Sequence, residues 1–330
     1  MKKQGAMNNS LLILQGNCFE TLKTLPHKSV HCCVTSPPYW GLRDYGCKEQ
    51  IGLETTPQEY VNNISDVFRM VYDVLRDDGT LWLNLGDGYN GSGKGESSNK
   101  KQNSNAGSRT VVGRKTEATG LKPKNLVGIP WRVAFALQSE GWYLRSDIIW
   151  HKPNPMPESV KDRPTKAHEY IFMFSKSERY FYDCESIKEP SVYRDDRIRD
   201  RENTRLNNVP GRTRMGGLTR NNYEWRNKRD VWTVQTQPCK EAHFAVFPEK
   251  LIEPCILAGC PVGGVVLDPF AGSGTTGRVA LKVGRKAILC ELNPQYIPII
   301  NRRTNVSLEL ALSSGGNQGA HEKGFDASNN

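Results

Sequence analysis

Between Val265 and Thr276 the chain reads Val-Val-Leu-Asp-Pro-Phe-Ala-Gly-Ser-Gly-Thr-Thr: an apolar strand that stops at an acid, a glycine-rich turn, and the start of a helix. Gly272 and Gly274 let backbone approach a ligand with no Cβ in the way. Thr275 or Thr276 can cap the helix that follows. About twenty residues on, Glu291 closes the next apolar stretch, where an acid can accept hydrogen bonds from two ribose hydroxyls. The turn is not a G-x-G-x-x-G fingerprint, because Gly277 falls at the wrong offset, and no G-K-[ST] follows to make a P-loop. A glycine turn alone is weak evidence of a site. Strand, acid, glycine pair and spaced Glu291 together are stronger evidence, and they commit this part of the chain to an α/β unit.

The alternation recurs upstream. Residues 11–14 read as a strand, Phe19, Leu22 and Leu25 suit one face of a short helix, and residues 30–35 are apolar and β-branched up to Pro37-Pro38. Tyr60, Ile64, Val67, Phe68, Val71 and Leu75 then recur at helical spacing, with Asp77-Asp78-Gly79 expected to end that helix before a strand over 80–85. A helix near 130–140 and strands over 143–150 and 169–174 follow. Further on come a helix over 247–258, a strand over 265–267, a helix over 275–283 and a strand over 287–290. Strands alternating with helices imply a largely parallel sheet. Residues 88–125 read as a mobile Gly/Ser/Asn/Lys loop, 186–230 as an insertion outside the main sheet, and the tail beyond about 312 as disordered.

Ser36-Pro37-Pro38-Tyr39 stands at the carboxyl end of an expected strand, where open α/β sheets place their sites. Two consecutive prolines remove two N–H donors and leave carbonyls that only accept. An exocyclic amino group carries two hydrogens and needs acceptors, which the Ser36 oxygen and a proline carbonyl can supply. Tyr39 offers a ring on which an extruded base can stack. An amino nitrogen attacks a sulfonium methyl directly, so no covalent enzyme intermediate is required.

With both motifs in view, the sequence resembles the β class of S-adenosylmethionine-dependent DNA amino-methyltransferases. In that class the catalytic motif precedes the cofactor motif, here by about 230 residues. The resemblance implies a Rossmann-like α/β fold with a mostly parallel seven-stranded sheet, circularly permuted, plus a basic target-recognition insertion. It divides the chain into a catalytic half (11–185), a recognition insertion (186–242), a cofactor half (243–312) and a tail (313–330). It assigns catalysis to Ser36, Pro37, Pro38 and Tyr39. Asp268, Pro269, Phe270, Gly272, Gly274 and Thr275 would line S-adenosyl-L-methionine, and Glu291 would hold its ribose. Phe244 to Pro248 resembles the segment over the methionine end, which brings in Phe247. Gly16-Asn17-Cys18 matches a position where relatives often carry Gly-Asp against the adenine; Asn17 departs from that pattern but still offers an amide oxygen. The segment from Ile149 to Pro155 resembles the strand and loop flanking a base pocket. Ser-Pro-Pro-Tyr resembles cytosine-N4 enzymes, with adenine-N6 transfer the alternative. A protein glutamine methyltransferase and an inactive DNA-binding homologue fit less well.

Charge points the same way. The formal surplus of +10 is localised: residues 88–125 carry eight Lys/Arg against two Glu, and 190–230 carry eleven against six acids. Segregated positive charge suits a phosphate polyanion. Arg205, Arg212, Arg214, Arg220 and Arg226 are the candidate DNA contacts. Double-stranded DNA is the expected partner, a cognate restriction endonuclease a further one, and the enzyme a monomer or homodimer. No run approaches the ~20 apolar residues of a membrane helix, residues 11–14 are too short for a leader core, and nine cysteines form no C-x-x-C pair. A cytoplasmic prokaryotic or phage-encoded protein without a metal site is therefore expected.

Overall fold

The computed structural model describes residues 10–91, 119–191, 224–236 and 247–305. The chain divides into two compact units, Cys184–Arg229 and the remainder. In chain order the larger unit contains β1 (Leu11–Gln15), α1 (Cys18–Leu22), β2 (Val30–Thr35), α2 (Pro57–Val74), β3 (Leu75–Leu85), α3 (Ile129–Ser139), β4 (Tyr143–His151) and β5 (His168–Ser175). In the smaller unit Glu189–Pro190 (β6) pairs antiparallel with Trp225–Arg226 (β7). The larger unit resumes with β8 (Val231–Thr233), α4 (Glu249–Gly259), β9 (Val265–Asp268), α5 (Thr275–Lys282) and β10 (Lys286–Glu291).

One sheet runs β1-β10-β9-β2-β3-β5-β4-β8. Only β5 opposes its neighbours, pairing antiparallel with β3 and β4, while the other pairings are parallel. The sheet is mostly parallel, as expected, but has eight strands where seven were expected. The extra one is three-residue β8, which pairs with the end of β4 although it lies inside the span 186–242 assigned to the insertion. A second difference concerns residues 75–79. They do not end α2 but begin β3, because Leu75 pairs with Val30 and the ladder then shifts so that Cys32 meets Thr80.

Helix α2 starts where its sequence says it should. Thr56 and Glu59 form a reciprocal capping box and Pro57 occupies the first turn. Its buried face (Tyr60, Ile64, Val67, Phe68, Val71) packs with Cys33, Leu81, Leu83 and Leu85 in one core. The alternate residues Cys32, Thr80 and Trp82 face Gly259 of α4. Because strand side chains alternate, α2 and α4 cover opposite faces of the sheet. Among the described residues no helix is long and apolar enough to cross a membrane. The expected mobile loop falls largely on residues 92–118, and the tail on 306–330, both outside the described residues.

Candidate active site

The two motifs, some 230 residues apart in sequence, end on adjacent parallel strands, since β2 pairs with β9 in the middle of the sheet. The link between them is direct. The Thr35 hydroxyl donates to Asp268 Oδ1 at 2.6 Å and the Thr276 hydroxyl to Oδ2 at 2.6 Å. The Phe270 amide adds a third bond at 3.0 Å. Asp268 is thus a buried tie between β2, β9 and α5; burial raises its pKa to about 6 against the pull of those donors.

A cavity of about 670 Å³ opens over these strand ends. Of the residues expected to hold a cofactor, Asn17, Phe247, Pro269, Phe270, Gly272, Thr275 and Glu291 line it. Asp268 and Gly274 do not. Asp268 spends its carboxylate on the tie just described, and Gly274 sits at φ +80° against Ile300, where a Cβ would come within 3.1 Å. Gly272, at φ +53°, would carry a Cβ with no neighbour nearer than the Phe270 carbonyl oxygen at 4.0 Å, so a ligand can meet bare backbone there. Its amide donates to Glu291 Oε2 at 2.7 Å, and the Asn293 amide to Oε1 at 2.8 Å. Burial raises the Glu291 pKa to about 7 despite both bonds.

Asn17 caps α1, its Oδ1 accepting from the Phe19 amide at 3.0 Å, while its Nδ2 donates to Glu49 Oε2 at 2.9 Å. Sequence reading missed Glu49, which also lines the cavity. It stands in a loop folded back through Gly41 to Gly52 (N···O 2.6 Å), and nothing local in the sequence announces that closure.

At the opposite end Ser36, Pro37, Pro38 and Tyr39 line the cavity together with Asn84, Trp150, Lys152 and Glu169. The Pro38 carbonyl accepts from the buried Tyr60 hydroxyl at 2.9 Å. The Tyr39 ring lies so close over Gly86 that a Cβ there would sit 2.5 Å from it, and glycine is required. The Tyr39 hydroxyl donates to Glu169 Oε2 at 2.7 Å, with Asn84 Oδ1 3.1 Å away. Burial first, then the Glu169 charge, holds that phenol far above its usual range. Glu169 also pairs with Lys152, whose ammonium sits 4.3 Å from the Trp150 ring centroid. Of this group only Trp150 and Lys152 fall in the stretch singled out from sequence. Glu169 depends on the β4/β5 register, which sets it opposite Trp150. Cys18 and Cys290 line the cavity too, but burial raises their thiols to about 11 and about 12, so neither supplies a thiolate.

Among the candidate DNA contacts, Arg226 lies in the smaller unit and donates to Glu189 Oε1 at 2.9 Å. Arg205, Arg212, Arg214 and Arg220 lie outside the described residues.

A mostly parallel α/β sheet that brings Ser36–Tyr39 and the glycine turn into one cavity has the architecture of a methyltransferase. The chain belongs to the DNA methylase family, whose N6/N4 model it matches over residues 30–302, and its substrate is DNA. It is 48% identical over 295 residues to the Type II methyltransferase M.Cfr9I of Citrobacter freundii, covering 89% of this chain and 88% of that one. It is 46% identical over 294 residues to the Type II methyltransferase M.SmaI of Serratia marcescens, covering 89% and 90%. Among solved structures, the PvuII DNA methyltransferase (cytosine-N4-specific) superposes with a TM-score of 0.60 at 21% identity, covering 92% of this chain and 90% of that one, a likeness of fold.

Proposed function

We propose that the protein methylates N4 of a cytosine turned out of double-stranded DNA, taking the methyl group from S-adenosyl-L-methionine, at sites that a cognate restriction endonuclease would otherwise cut. The observation that carries this reading is the single cavity with Ser36-Pro37-Pro38-Tyr39 at one end and Gly272 and Glu291 at the other.

The glycine end fits the cofactor: bare backbone at Gly272 and a buried carboxylate at Glu291 that retains acceptor capacity for a ribose hydroxyl. Phe247 and Phe270 offer apolar flanks. At the adenine position the missing acid is replaced from a distance, because Asn17 draws Glu49 to the cavity wall. The cofactor supplies an electrophilic methyl on a sulfonium sulfur.

At the other end the Ser36 oxygen and a proline carbonyl accept the two amino hydrogens; the Pro38 carbonyl has one of its two lone pairs committed to Tyr60. With those hydrogens held, the nitrogen lone pair would be free for the methyl group that a bound cofactor supplies, and the surplus proton would leave to solvent. Tyr39, fixed by Gly86 beneath its ring and Glu169 at its hydroxyl, is a preorganised stacking face. Lys152 offers N–H donors for the N3 and O2 acceptors of cytosine. Glu169 neutralises it, so the ammonium does not drain electron density from the amino nitrogen. Adenine presents no counterpart of O2 on that edge, which favours cytosine.

Nucleoside analysis of DNA treated with the protein and cofactor tests this, with N4-methylcytosine the expected product. N6-methyladenine in its place would refute the base assignment, and no methylated base at all would refute the whole reading. Ser36→Ala is expected to slow transfer about 100-fold with cofactor affinity unchanged; full activity would remove Ser36 from the chemistry.

A further inference from the structure

Met156 is the most exposed of the large apolar side chains among the described residues, at 82%. An isolated exposed apolar residue needs no explanation by itself. This one is built into place. It lies in Pro153-Asn154-Pro155-Met156-Pro157-Glu158, where every second residue is proline. Each proline fixes its own φ and drives the residue before it into extended backbone, so Asn154 and Met156 have little freedom.

Both flanks are anchored. The Asn154 amide oxygen accepts from the Thr236 amide at 3.1 Å, and Thr236 lines the cavity. On the far side Glu158 Oε2 accepts from Arg163 at 2.6 Å and faces the Lys166 amide at 3.4 Å. Arg163 is itself held over the Tyr89 ring, 4.0 Å from its centroid. A loop stiffened by three prolines and tied down two residues either side of an exposed methionine is arranged to present that side chain. Met156 is four residues beyond Lys152, which lines the base end of the cavity, and four residues span at most about 14 Å.

We infer that Met156 is the wedge that enters the DNA stack where the target base has left it. The inference rests on the base-extruding reading above. A base turned out of a duplex leaves a gap one base pair high and an unpaired partner, and unstacking costs a few kcal/mol. Apolar side chains, methionine and leucine among them, insert between base steps in kinked or opened DNA, and methionine's flexible, polarizable stem suits an irregular gap. Rigid presentation matters because a freely moving loop would lose backbone entropy when its methionine enters the stack.

The test compares wild type, Met156→Ala and Met156→Leu in single-turnover transfer to two duplexes carrying the methylated site as mapped by sequencing. One has the target base paired, the other has it opposite an abasic position, where no partner holds it in. Met156→Ala is expected to lose roughly ten-fold on the paired duplex and to recover to within about two-fold on the abasic one. Met156→Leu should stay near wild type on both. With 2-aminopurine at the target position, the fluorescence rise on binding should shrink for Met156→Ala while its melting temperature and cofactor Kd match wild type. Equal rates for Met156→Ala and wild type on the paired duplex would overturn the inference, as would an equal loss on both duplexes. Wild type inactive on both would instead overturn the methyltransferase reading, and the wedge with it.

Discussion

Asp268 and Glu291 are both buried carboxylates at the ends of neighbouring strands, and desolvation raises the pKa of each, to about 6 and about 7. Each therefore stabilises the ligand-free fold in its protonated form. That contribution is complete below the ordinary carboxylate range and is lost as pH rises through about 6 for Asp268 and about 7 for Glu291. Asp268 faces only protein donors, whereas Glu291 opens on the cavity. Ribose hydroxyls donating to Glu291 favour its charged form, so cofactor binding must expel a proton below about pH 7. The cofactor Kd, measured by calorimetry, should rise about ten-fold from pH 8 to pH 6, while the melting temperature without cofactor also rises over that interval, since the protonated carboxylates favour the empty fold. Glu291→Gln should bind weakly and with a flat pH profile. A pH-independent wild-type Kd would take Glu291 out of the ribose contact.

At the scale of elements, two helices approach the sheet through glycine. A Cβ on Gly259 of α4 would come within 2.5 Å of the Trp82 indole nitrogen and 2.9 Å of Cys32 Sγ, while one on Gly277 of α5 would meet Leu289 at 2.6 Å. Trp82 is fully buried and bonded to Thr80, so it has nowhere to go. Gly259→Ala should therefore cost about 1–3 kcal/mol in urea unfolding, although alanine is the better helix former; a neutral or stabilising result would mean α4 can lift. These glycines explain part of what sequence reading could see. Most strands and helices of the larger unit were legible, because apolar runs, helical spacing and proline stops are local signals. The β3 start at Leu75 was not, because extended backbone there is imposed by pairing with Val30, 45 residues earlier in the chain. Glu49 and Glu169 were invisible for the same reason. Each becomes part of the site only through a fold-back or a strand register that no short window encodes.

The whole molecule carries its surplus charge in two segments, and the smaller unit shows how little formal charge says without its partners. Arg226 and Arg229 both donate to the one carboxylate of Glu189, at 2.9 Å and 2.7 Å. Arg226 therefore has an internal task besides any on DNA, and Arg226→Ala should change the salt dependence of binding only slightly, since Glu189 keeps Arg229. Arg212, Arg214 and Arg220 stand in a stretch of twelve residues, 209–220, that contains no acid. If each neutralises one phosphate, replacing all three with alanine lowers the slope of log K against log salt by about 2.7, at roughly 0.9 per phosphate. Filter binding of duplex DNA across a salt series, for wild type, Arg226→Ala and the triple variant, separates the two cases. Parallel plots for wild type and triple variant would place DNA binding elsewhere, with the lysine- and arginine-rich 88–125 segment the next to neutralise. A lowered slope with the product base and its site unchanged would assign these arginines to the phosphate backbone, and a relaxed site would assign at least one of them to a base edge.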